Sequence, residues 1–136
     1  MTTELNNLQW AFRHIRAERE RQILEEGYTV HRDKVNGHED VVMAAATYEM
    51  ESKHRKEHPD NWPWDFKHWK PTAYQGTEGR IRELEKAGAL YLAAKQVMEA
   101  KGLNIPLKHA VCEKVDAMAE RIAELLGELE KEDVHV

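Results

Sequence analysis

Between Trp62 and Pro71 the chain reads WPWDFKHWKP, a stretch holding three of its four tryptophans, one of its two phenylalanines and two of its four prolines. Pro63 and Pro71 fix φ and remove backbone donors, so the stretch suits neither an ordinary helix nor an inner strand. Indole rings bury a large area while keeping one N–H that needs a partner. Lys67, His68 and Lys70 set cationic character between the rings. Two uses suit such a loop: a lid that closes a helical core, or one wall of a site for an anionic, flat-faced ligand.

Other residues could converge on it. Arg19 and Gln22 share a helical stripe with apolar residues, and Tyr28, His31 and Asp33 follow in the next connector. Tyr48 comes from a second helix, Trp62, Trp64, Trp69 and Lys70 from the loop, and Arg82 and Lys86 from a third helix. Aromatic faces stack on a base for roughly 1–3 kcal/mol, and arginine holds phosphate bidentately. Asp33 or Glu26 could accept ribose hydroxyls. A few placed polar groups among aromatic walls are what a small-ligand site requires, and the set fits a phosphorylated nucleoside. A buried polar network of purely structural use would draw on the same residues.

Other chemistries fail on spacing. No Walker A, dinucleotide fingerprint or nucleophile elbow occurs. His54 and His58 lie one helical turn apart, but Pro59 ends the helix there and no third ligand is evident, so no metal site is assigned. Cys112 has no His or Asp neighbour suited to a thiolate nucleophile. A helical Mg²⁺-dependent nucleotide pyrophosphohydrolase of the MazG type needs an ExxE pair on one helix and an ExxD pair on the next. Glu25, Glu26, Glu39 and Asp40 supply acidity, but the chain contains no ExxE. No catalytic residue and no cofactor are expected.

The elements that must position these groups are helical. Leu8, Ala11, Phe12, Ile15 and Ile23 mark a first helix over 8–26, with Gly27 at its C′ position. Arg19, Gln22 and Glu26 continue the same stripe, so they must face partners, water or a ligand. Asn36 and Glu39 read as a capping box for a second helix over 40–56, closed by Pro59. The following connection exceeds the roughly dozen residues usual in compact domains. A third helix runs from about Thr77 to Lys101, with Ile81, Leu84, Gly88, Tyr91 and Met98 on one stripe and Ala89, Ala93 and Val97 beside it. Arg82 and Lys86 oppose the macrodipole near its start, so a carboxylate such as Asp33 or Glu26, or a phosphate, should compensate them. After Gly102 and Pro106, Val111, Val115, Met118, Ile122, Leu125 and Leu129 form a heptad seam over 107–132. That seam either closes the bundle or pairs with a second copy.

The expected fold is all-α: a four-helix bundle-like domain with a long aromatic loop between helices 2 and 3 and a long C-terminal heptad helix. Residues 1–104 form the ligand-binding core, and 105–136 close the bundle or mediate homo-oligomerisation through the 107–132 helix. With 136 residues the chain is one domain, long enough to bury a core without disulfides. The single cysteine and the absence of a leader-like or membrane-spanning run lead to an expected cytoplasmic location. A net charge of −5 argues against sequence-independent DNA or RNA binding, yet leaves room for a small anion held by local cations.

Taken together, ERERQILEEGYTVHRD, AAATYEM, WPWDFKHWKP and RELEKAGAL resemble a group of small uncharacterised phage and prophage proteins. Their pattern is an ER-x-x-Q-x-x-EG-aromatic run, a His–Asp pair, an AA-x-x-Tyr helix, WPW, WKP and an R-x-L-x-KA-x-AL helix. Glu18, Arg19, Gln22, Glu26, Gly27, Tyr28, His31, Asp33, Ala44, Ala45, Tyr48, Trp62, Pro63, Trp64, Trp69, Lys70, Pro71, Arg82, Leu84, Lys86 and Ala87 match it here, within residues 18–92. Lys34 stands where family members often carry a further Asp, which weakens a metal role for that connector. The heptad helix lies outside the resemblance. The phage setting implies a protein acting in the cytoplasm of an infected bacterium. By analogy with phage anti-defence sponges, the expected function is sequestration, without catalysis, of a nucleotide-derived immune signal such as an ADP-ribose derivative or cyclic nucleotide. An inhibitor that presents the aromatic loop to a host enzyme, and the Mg²⁺-dependent hydrolase, are the alternatives.

Overall fold

The computed structural model describes residues 2–29, 31, 37–51, 59, 62–65, 68–72 and 76–134. Its helices are α1 (Thr2–Glu26), α2 (His38–Glu49), α3 (Gly76–Ala100) and α4 (Pro106–Val134). The fold is all-α, as the periodicity requires, with the aromatic connector between α2 and α3. No described helix is long and apolar enough to cross a membrane.

Helix α3 is the hub, packing against each of the other three, while α4 also packs on α1. Its sequence explains the position. Ile81, Leu84, Leu90, Tyr91, Val97 and Met98 are buried on several sides, with Ala87, Ala89, Ala93 and Ala94 buried between them. Such small residues let neighbouring axes approach. At Gly88 the approach leaves no room for a side chain: a Cβ there would lie 2.8 Å from Ile15 Cδ1 of α1.

The break between α3 and α4 is a Schellman turn. Gly102 takes φ 69°, its N–H bonds Glu99 O at 3.0 Å, and Leu103 N–H bonds Met98 O at 2.9 Å. Leu103 packs back on the core, and Pro106 opens α4 where a missing N–H costs nothing. The heptad seam then turns inward. Val111, Met118, Ile122 and Leu125 are buried in the same core as α1 and α3, with Val115 and Leu129 packed at its edge. The seam expected to close the bundle or to pair two chains packs on α1 and α3 of its own chain.

Two expectations about α2 need correction. Its N-cap is Gly37 with no side-chain cap bond, and Asn36, the expected cap, lies outside the described residues. The helix also ends at Glu49 rather than continuing to 56, because Met50 is extended at φ −64°, ψ 132°. Arg80 of α3 is the physical reason. Its guanidinium donates to the carbonyls of Tyr48 (3.1 Å), Met50 (3.4 Å) and Glu49, filling the acceptors that another helical turn would have used.

Candidate functional site

The loop tryptophans join two tyrosines from the helices. Tyr48 of α2 lies 4.7 Å from Trp69 and 5.7 Å edge-on from Trp62, centroid to centroid. Trp62 lies 5.1 Å from Trp69 and 5.5 Å, again edge-on, from Trp64. Trp64 in turn lies 5.5 Å from Tyr28, just past the end of α1. These spacings and tilts are those at which ring quadrupoles attract. Trp62 is the most deeply seated loop indole, 6% exposed, and donates to Asp65 O at 3.2 Å. Trp64 and Trp69 are half-buried.

Polar contacts seat this cluster. Gly27, at φ 73°, turns the chain out of α1 so that Tyr28 N–H reaches Gln22 O at 3.0 Å. Arg19 Nη1 donates to Tyr28 O at 2.6 Å and Nε to Gln96 of α3 at 2.9 Å, which fixes Tyr28 from both sides. Tyr48 Oη accepts the Lys70 N–H at 3.0 Å, and burial pushes its phenol above the ordinary range. Lys86 Nζ lies 5.6 Å from the Tyr48 centroid and donates to Lys70 O at 2.7 Å. Burial, and then the nearby Arg82, hold the Lys86 ammonium below its usual pKa. Thr72 N–H bonds Glu83, tying the loop's end to α3 at 3.1 Å.

Beside the rings runs a charged network centred on Glu18, a carboxylate only 2% exposed. Arg82 Nη2 lies 2.5 Å from its Oε1 and Arg21 Nη2 2.7 Å from its Oε2. Burial alone would raise the pKa of Glu18; the bond from Arg21 and the charges of Arg82 and Arg21 outweigh it and lower it. Burial alone would lower Arg82, but Glu18 and Glu85 raise it. Glu85 bonds Arg82 at 2.9 Å and lies 3.4 Å from His14 Nδ1. Lys70 Nζ, on the exposed side, pairs with Glu26 at 3.1 Å.

The structure therefore brings Arg19, Gln22, Tyr28, Tyr48, Trp62, Trp64, Trp69, Lys70, Arg82 and Lys86 into one connected assembly. His31 is exposed, and Asp33 lies outside the described residues, as do His54 and His58. The compensation of the α3 cations differs from expectation. Glu18 and Glu85 neutralise Arg82, and Lys86 donates to a backbone carbonyl. Glu18, Gln96, Arg80 and Glu83 are contributors that spacing did not single out. Only Glu18 left a signal, since it lies one residue before Arg19 in the matched pattern.

Among the described residues, Gln22 Oε1 and Trp64 Nε1 are among the buried side-chain atoms that lack a hydrogen-bond partner. Among the described residues no group of three or more His, Cys, Asp and Glu side chains is placed to hold a metal ion. Cys112 is half-buried on α4. No family model, no curated protein and no solved structure matches the chain.

Proposed function

We propose that this protein binds, without turning it over, a small anionic ligand carrying a flat ring, most simply a phosphorylated nucleoside. The observation that carries the reading is the continuity of five aromatic rings from three chain segments with the cations Lys70 and Lys86 at their border. A base stacked against Trp64 or Trp69 gains roughly 1–3 kcal/mol. A phosphate at the Lys70 side would compete with Glu26 for that ammonium and draw on Lys86 beneath it. Within the same reading, the resemblance to phage proteins makes the ligand a nucleotide-derived signal, such as an ADP-ribose derivative or cyclic nucleotide, held in the cytoplasm of an infected cell. The inhibitor alternative gains less support, because it needs the indoles outward and Trp62 is buried against Tyr48.

Isothermal titration with ADP-ribose, its cyclic form, cyclic dinucleotides and ATP tests the reading. At least one should bind with a Kd of about 1 μM or tighter, equivalent to about −8 kcal/mol. Trp69→Ala should weaken that binding by roughly 5- to 150-fold, the loss of one stacking face. The bound compound should be recovered chemically unchanged after long incubation with Mg²⁺. Absence of heat across the panel, or steady hydrolysis, would overturn the proposal.

A further inference from the structure

We propose that Glu26 is a built-in competitor for the ligand's phosphate: its carboxylate holds the Lys70 ammonium in the free protein and yields it when a phosphate arrives. The inference rests on the binding reading above and deepens it by naming what regulates the site. Glu26 is the last residue of α1, whose final turn carries Glu25 and Glu26 and no basic residue. The macrodipole leaves partial negative charge at that end, so the helix itself disfavours a carboxylate there. A residue that breaks a local rule in an otherwise consistent element is where function is to be sought. Here the misplaced acid reaches out of its helix to a cation of the aromatic loop.

The pair is asymmetric in a way that suits exchange. Lys70 Nζ lies 3.1 Å from Glu26 Oε1, and the lysine side chain is 56% exposed while the glutamate side chain is 9% exposed. An anion from solvent can therefore reach the lysine without first moving the more buried carboxylate. The same Glu26 oxygen lies 3.4 Å from Arg21 Nη2, so the carboxylate keeps a cation when Lys70 lets go. Stranding a largely buried charge with no partner would cost too much for exchange to occur. Arg21 is itself held by Glu18 at 2.7 Å and Glu25 at 3.0 Å, so it stays in place. The Lys70 main chain is fixed on both sides, its N–H donating to Tyr48 Oη and its carbonyl accepting from Lys86 Nζ. Exchange therefore swings one side chain and leaves the rings where they are. Exposed ion pairs contribute little, and phosphate offers more charge and more acceptor oxygens than a carboxylate, so it prevails.

The test titrates ADP-ribose, its cyclic form, cyclic dinucleotides and ATP into wild type, Glu26→Gln, Glu26→Asp and Glu25→Gln. A compound that wild type binds should bind Glu26→Gln roughly three- to fivefold more tightly, the upper range for one exposed ion pair. Glu26→Asp keeps the charge but draws the carboxylate back by one methylene, so it should gain in the same direction. It decides the question if Glu26→Gln fails to fold. Glu25→Gln removes the same charge from the same turn, beside Arg21 rather than Lys70, and should change affinity less than about twofold. In a Lys70→Met background Glu26→Gln should bring no gain. Unchanged or weaker binding by both Glu26 variants would overturn the competitor role and leave the binding reading standing. An equal gain from Glu25→Gln, or a gain that persists without Lys70, would do the same. No binding of any compound by wild type or by any variant would remove both.

Discussion

Glu18 carries a full charge in a place where water barely reaches, and its two arginines decide whether the end of α1 holds. Replacing it by glutamine leaves Arg82 and Arg21 facing a neutral amide. Each charge-assisted bond is worth roughly 1.5–3 kcal/mol, and both arginines keep some solvent, so the expected loss in unfolding free energy is about 2 kcal/mol, read by urea denaturation. The sign of the pH dependence follows from the lowered pKa of Glu18. Its contribution is complete above the unfolded value of about 4.3 and is lost as pH falls through the lower folded value. Wild type should therefore lose stability on acidification below about pH 4.3, and Glu18→Gln should show a shallower loss. A steeper loss in the variant would count against this role. At this scale the sequence was partly legible. Arg19 and Gln22 lie on the apolar stripe of α1, so their burial could be read from spacing. The distant partners of Arg19 and Glu18 could not, because Gln96 and Arg82 sit far along the chain and no local pattern names them.

Helix α2 shows how one side chain on a neighbouring element sets a boundary. Residues 51–56 are polar and unbroken by glycine or proline, so composition alone carries a helix on toward Pro59. Arg80 ends it at Glu49 by taking the last carbonyls, an effect thirty or so residues distant that periodicity does not register. Arg80→Ala should cost about 2 kcal/mol and release the C-terminal turn of α2. Hydrogen exchange at residues 46–50 should accelerate, and the near-ultraviolet circular dichroism of the ring cluster should weaken because Tyr48 lies in that turn. Unchanged exchange there would show that the carbonyls do not depend on Arg80. The hub α3, in contrast, was legible almost entirely, since both of its expected rows are buried.

Across the whole molecule, the long seam of α4 completes the core that α1 and α3 begin, and the site stands on that core. Ile122 is wholly buried within it, so Ile122→Ala should lose about 3 kcal/mol. That loss should be the same at all protein concentrations over a roughly hundredfold range, since the contacts are within one chain. A loss that shrinks at high concentration would mean that the seam belongs to an interface. A heptad pattern read from sequence cannot distinguish these cases, because a helix inside its own bundle and one facing a second copy need the same apolar repeat. The aromatic loop posed a similar ambiguity, between a lid and a ligand wall. The structure gives it both a buried anchor, Trp62, and half-buried rings, Trp64 and Trp69, next to cations.

The central claim is that these rings and cations receive a phosphorylated nucleoside, and indole emission tests it most directly. Trp10 stacks on His14 in α1, outside the ring cluster, so Trp10→Phe leaves Trp62, Trp64 and Trp69 as the only indole reporters. Titrating that variant with ADP-ribose, cyclic ADP-ribose, cyclic dinucleotides and ATP should give, for at least one of them, a saturable change in emission with a midpoint near or below about 1 μM. Emission that stays flat for every compound up to about 1 mM, where even weak specific binding would register, would contradict the account.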